Sequence, residues 1–224
     1  MRLTRPLAPV FIAATLGLGA QVATAQAAPA PGTNGTTEAA ASGTAASIHR
    51  GKILSQTCAF CHGLPDYVIP YPSRHVPFVG GQHATYVISA LHEYAQGDRA
   101  FATMKAQGAS LTDRQIRDIA AYLASLGPET PISDEDVKAP PFAASCAACH
   151  GASGVSTNPM YPTLAGQHYD YLLLSLKEYK AGKRKNGIMN AMASPLTLEQ
   201  MQQLAHYYSK QPSPLVLMPL QGPE

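Results

Sequence analysis

The sequence has 224 residues, 46% of them hydrophobic and only 13% charged, with a formal net charge of +2. That length fits one or two domains with a buried core. The lack of a strongly basic or acidic tail excludes nucleic-acid binding driven by charge. Nineteen prolines and 18 glycines predict many short loops between regular elements.

Residues 1–25 read as a targeting signal. Arg2 and Arg5 precede an uncharged apolar stretch from Leu7 to Ala20, and Ala23-Thr24-Ala25 supplies a small-residue cleavage site. The apolar run is short for a membrane span and holds Pro9. An exported, near-neutral mature protein is therefore expected, and a periplasmic location. Residues 26–47 are Ala, Gly, Thr and Pro with one charge and no apolar period, which predicts a flexible leader.

The remainder is a duplication. Residues 81–116 align with 166–201 without a gap at a shift of 85. Gly81, Gln82, His83, Tyr86, Glu93, Tyr94, Gly97, Arg99 and Met104 meet Gly166, Gln167, His168, Tyr171, Glu178, Tyr179, Gly182, Arg184 and Met189. Pro77 meets Pro162 at the same shift. An internal repeat of this kind sets the architecture: domain 1 over 48–127, a linker over 128–140 rich in proline and acid, domain 2 over 141–210, and a Pro-rich tail over 211–224. The tail is too short and too Pro-rich to span a bilayer.

Each copy predicts the same helices. One runs into a cysteine motif (about 48–60 and 141–149). A second starts near Gly-Gln-His and ends near Gly97 or Gly182. A third starts at a capping box, Thr112-x-x-Gln115 or Thr197-x-x-Gln200. No stretch alternates as strands do, so the fold class is all-α.

All four cysteines lie in "CAFCH" (58–62) and "CAACH" (146–150). A zinc ribbon separates its cysteine pairs by about 15–20 residues, against 84 between Cys61 and Cys146. A thioredoxin-type disulfide needs a βαβ setting, which a helical chain lacks. Cys-x-x-Cys-His is the attachment signature of c-type haem. On that reading Cys58, Cys61, Cys146 and Cys149 form thioethers to two covalently bound haem c groups, and His62 and His150 are the proximal iron ligands.

The sixth ligand separates a carrier from an enzyme. Met104 is the methionine of domain 1, and the repeat places Met189 on it. Both are expected in ligand loops, while Met160, Met192 and Met201 are expected to fill the core. His/Met coordination closes both axial sites. His83 and His168 read as helix-start residues; His49, His75, His92 and His206 read as ordinary surface or loop positions. The carbonyls of Pro77 and Pro162 are expected to accept from the proximal histidines. Tyr86, Tyr171, Arg99 and Arg184 are expected to donate to propionates. The basic run 177–185 reads either as a solvated helix end or as a landing site for an acidic partner.

Across about residues 48–210 the sequence resembles the dihaem cytochromes c of the c4 family. The resemblance rests on "CAFCHG" and "CAACHG", "PFVGGQ" and "PTLAGQ", "EYAQGDR" and "EYKAGKR", the methionine segments, and the last helices "IAAYLASLG" and "LAHYYSKQ". It implies two class I cytochrome c domains related by pseudo-twofold symmetry, with the haems facing across the interface. It also implies a periplasmic electron carrier, not an enzyme, that is compatible with peripheral membrane association. Its redox partners would be a terminal oxidase, a quinol-oxidising complex, a small copper protein or another cytochrome. The cytochrome subunit of a flavocytochrome-type dehydrogenase remains an alternative, as does a dihaem peroxidase or thiosulfate dehydrogenase. The segment "GLPDYVIPYPSRHVP", the leader and the tail fall outside the resemblance.

Overall fold

A computed structural model describes residues 43–127 and 138–220. The targeting signal, the leader up to residue 42, linker residues 128–137 and residues 221–224 lie outside the described residues.

The first domain opens with α1 (Ala45–Leu54), capped by the Thr44 side chain, which accepts from Ser47 N. The helix therefore starts inside the segment read as a flexible leader. Composition missed it because the anchor is tertiary: Ser47 and Arg50 both donate to Asp118, far along the chain, at 2.7–2.8 Å. Gly51 permits this packing, since a Cβ there would stand 2.0 Å from the Asp118 carbonyl oxygen. The expected single helix into the cysteine motif breaks at buried Ser55, and α2 (Gln56–His62) carries the motif itself.

A short antiparallel hairpin follows, β1 (Val68–Pro70) with β2 (Ser73–His75), paired Val68 to His75 and Pro70 to Ser73. The sequence reading anticipated no strand here, because three residues are too few for a period of two to register. Next come α3 (Ala84–Gln96), α4 (Ala102–Ala109) and α5 (Asp113–Ala124). The second domain has a 3₁₀ turn at Pro141–Ala143, then α6 (Ala144–His150), α7 (Tyr169–Lys180), α8 (Gly187–Ala193) and α9 (Leu198–Ser209). Both predicted capping boxes form, at Thr112–Gln115 and Thr197–Gln200. The described residues are mostly helical, with little strand.

Each domain has its own core. Val87, Ile119, Ala120, Tyr122 and Leu123 build the first; Leu172, Leu204, Ala205, Tyr207 and Tyr208 build the second. The repeat extends to the backbone: Gly81 N donates to Leu123 O at 2.8 Å, and Gly166 N to Tyr208 O at 2.9 Å. The tail leaves domain 2 and packs on domain 1. Val216 and Gly80 exchange backbone hydrogen bonds, Met218 N donates to His62 O at 3.0 Å, and the Met218 side chain enters the first core.

Candidate metal centres

On α2 and α6 the two thiols of each motif stand three residues apart, so they share one helix face. All four are free and half-buried. Burial pushes the Cys58 and Cys146 thiols up. Among the described residues no three His, Cys, Asp or Glu side chains converge as a metal cluster.

The histidines that end these helices are held alike. His62 Nδ1 lies 2.8 Å from the Pro77 carbonyl oxygen, and His150 Nδ1 lies 2.9 Å from that of Pro162. A carbonyl only accepts, so Nδ1 carries the proton and Nε2 keeps its lone pair. Burial pushes both imidazoles down, against the raising effect of the carbonyl bond. The carbonyl bond fixes the tautomer of each ring and leaves Nε2 as the nitrogen with a lone pair to offer a metal. Both acceptors are those read from the repeat.

The methionines sort differently from expectation. Met104 and Met189 are half-buried and sit on the short helices α4 and α8, not in open loops. Asn186 and Asn190 build the second of these sites: Met189 N donates to Asn186 Oδ1 at 3.1 Å, while Asn190 Nδ2 donates to Tyr179 O and Arg184 O at 2.6 and 2.8 Å. The sequence reading missed both asparagines, which have no counterpart in the first repeat. Met201 is buried as expected, but Met160 and Met192 are exposed and fill no core.

The two domains meet through the repeated residues. Gln82 Nε2 donates to Thr163 O at 3.1 Å, and Thr163 N donates to Gln82 Oε1 at 2.9 Å. The symmetry mate is Gln167 Nε2 to Phe78 O at 2.9 Å and Phe78 N to Gln167 Oε1 at 3.0 Å. Residue i of one copy meets residue j of the other and the reverse, which is the mark of a twofold interface. Thr163 and Phe78 directly follow the prolines that hold the histidines, so each glutamine braces the other domain's site.

Arg99 and Arg184 pair as an isolated antiparallel bridge and are 4% and 3% exposed. Arg99 pairs with Glu93 and donates to Tyr86 OH at 3.2 Å. Arg184 donates to Tyr171 OH at 3.2 Å, and its Nε lies 2.9 Å from Glu178 Oε2 without hydrogen-bond alignment. The four residues expected to serve propionates therefore meet one another first. Both phenols accept from arginine, which leaves their O–H groups free to donate. Arg184 is interior and Lys185 pairs with Asp98 at 3.1 Å, so the basic run 177–185 is not a continuous surface.

His83 and His168 are the N-cap residues of α3 and α7, yet neither side chain caps its helix. His83 Nε2 lies 3.0 Å from Ser156 O in the other domain. His168 stacks on His75 and Phe78 at centroid distances of 4.6 and 4.2 Å. His75 is therefore no ordinary loop residue: its backbone N and its Nδ1 each lie 2.8 Å from Asp170 Oδ2. The hairpin delivers it there, and a repeat alignment cannot show a residue that one copy lacks.

Tandem helical domains, each with Cys-x-x-Cys-His on a helix and a histidine free at Nε2, define a c-type haem protein. The "Cytochrome c" family model matches residues 48–127 and 140–211, and the chain belongs to the cytochrome c family. It is similar to cytochrome c4 of Pseudomonas aeruginosa, 28% identical over 173 residues, covering 70% of this chain and 85% of that protein. It is 51% identical over 74 residues to the thiosulfate dehydrogenase electron acceptor of Thiomonas intermedia, covering 32% of this chain and 34% of that one. The structure of Acidithiobacillus ferrooxidans cytochrome c4 superposes with a TM-score of 0.56 at 28% identity, covering 70% of this chain and 99% of that one. The protein is a dihaem electron-transfer cytochrome with two covalent haem c groups, an electron carrier. Among the described residues no helix is long and apolar enough to cross a membrane.

Proposed function

We propose that the protein is a periplasmic carrier that takes single electrons from a respiratory donor and passes them to a terminal oxidase or another acceptor. Cys58, Cys61, Cys146 and Cys149 attach the haems, His62 and His150 are the proximal ligands, and Met104 and Met189 are the distal ones. The observation that carries the ligand assignment is the paired Nδ1-to-carbonyl geometry, which leaves one lone pair per domain for iron. When bound, each haem supplies one-electron exchange between ferric and ferrous iron. The chain's part is to hold the proximal ring, close the distal side with a thioether, and keep water out. The export signal pattern supports the periplasmic location.

Spectroelectrochemical titration of the purified holoprotein tests this reading. Two one-electron steps and low-spin spectra unaffected by carbon monoxide are expected. Carbon monoxide binding to the reduced protein would instead indicate an open iron and a dihaem oxidoreductase.

The likeness to a thiosulfate dehydrogenase electron acceptor supports one class of donor, a dehydrogenase that oxidises a small sulfur anion. Thiosulfate alone is then expected to leave the protein oxidised, and thiosulfate with such a dehydrogenase to reduce it. Co-purification with a flavoprotein would favour the flavocytochrome alternative.

A further inference from the structure

Arg74 lies on β2, in the stretch where domain 1 carries three residues more than domain 2 between the cysteine motif and the repeated proline. It is 4% exposed, and its Nε and Nη1 have no hydrogen-bond partner. Its guanidinium carbon stands 4.5 Å from the Phe101 ring centroid and 5.9 Å from that of Tyr171. Ring faces stabilise a cation by about 0.5–2 kcal/mol. Removing one from water costs several kcal/mol, and a ring face leaves the in-plane N–H groups unmet. The other buried arginines each face a carboxylate, Glu93 for Arg99 and Glu178 for Arg184, although Arg184 Nε also lacks an aligned hydrogen bond. Asp170 is taken by His75 and Asp98 by Lys185. No ion pair forms to Arg74 among the described residues.

A buried guanidinium without a protein anion calls for a bound one. Phe101 is the N-cap of α4, which carries Met104, and Tyr171 lies on α7 beside Arg184. The orphaned nitrogens therefore sit among groups positioned around the two haem sites. Haem carries two carboxylates of its own, and the arginine fork matches a carboxylate through two parallel bonds. We propose that Arg74 binds a haem propionate at the domain interface and makes the two haems electrostatically unequal. Domain 2 has no arginine between His150 and Pro162, so no symmetry mate balances it. A bare propionate favours ferric iron. A cation on it offsets that charge and raises the potential of the haem that owns it.

The proposal rests on the dihaem reading, which haem count and the low-spin spectrum of the wild type test separately. The test of Arg74 is spectroelectrochemistry and redox-difference infrared spectroscopy on Arg74→Met and Arg74→Lys holoproteins. In Arg74→Met one midpoint potential is expected to fall while the other holds, with a shift in the propionate carboxylate stretch. Arg74→Lys keeps the charge, loses the fork, and should move the same potential less. If Arg74→Met does not accumulate with haem, the lysine variant carries the test alone through the same two readouts. Two unchanged potentials with an unchanged carboxylate stretch would overturn the proposal and leave Arg74 as packing against Phe101.

Discussion

Gln82 and Thr163 exchange two hydrogen bonds across the domain boundary, at 2.9 and 3.1 Å, one residue beyond the proline whose carbonyl holds His150. The histidine's electron donation to iron depends on that carbonyl staying in place, because the Nδ1 bond raises the basicity of the ring. Gln82→Ala leaves a buried N–H and a buried C=O unpaired, at a cost of about 2–4 kcal/mol together. The variant is expected to lose stability to denaturant by that amount. It should also raise the potential of the second domain's haem and leave that of the first unchanged. Gln167→Ala should do the reverse, and equal shifts at both haems would refute a brace specific to one site.

The proposed distal ligand of domain 2 is Met189, half-buried on α8; Met192 lies three residues further on and is 36% exposed. Thioether ligation of ferric iron gives a weak sulfur-to-iron absorption band. Met189→Ala is expected to remove about half of it, since two haems share it, and Met192→Ala to leave it whole. Loss of the band in the Met192 variant would shift the ligand by three residues.

The tail strap has its own test. Met218 is 2% exposed within the core of domain 1, although it follows domain 2 in sequence. Met218→Ala is expected to cost about 2–5 kcal/mol, as buried methionine truncations do. Denaturant unfolding followed in the haem band should show the loss in the His62 domain. A loss confined to the His150 domain would contradict the packing.

Acid sensitivity of domain 1 should trace to Asp118. Hydrogen bonds from Arg50 hold its carboxyl below the usual range, with burial opposing and Ser47 assisting. The unfolded group titrates near about pH 3.9. A depressed folded value means the contribution is full above that pH and disappears as pH falls through the folded value. Asp118→Asn should lower the thermal midpoint by several degrees at neutral pH, and the gap to wild type should close toward about pH 2. A constant gap would mean that the charge plays no part.

Surface steering narrows to single lysines. Lys177 and Lys183 are exposed, whereas Arg184 is interior. Lys177→Gln with Lys183→Gln is expected to slow electron transfer with an acidic partner several-fold at low ionic strength, and not at high. Rates unchanged at both would make these lysines plain surface.

The sequence by itself determined the class of protein. Two Cys-x-x-Cys-His motifs, each leading one copy of an internal repeat, specify two haem domains, because thioether attachment is a local covalent requirement written in adjacent residues. Helix starts were legible for the same reason: Thr112 and Thr197 cap through partners three residues away. The carbonyls of Pro77 and Pro162 were legible because the repeat itself marked both prolines. What only the tertiary structure decided depends on partners distant in sequence. Gln82 reaches Thr163 across 81 residues, Met218 packs beside His62, and His75 turns from a loop residue into a partner of Asp170. Arg74 looks like any loop arginine until the hairpin and the second domain bury it. Burial then removes water from its nitrogens and turns an unremarkable charge into one that needs a counterion.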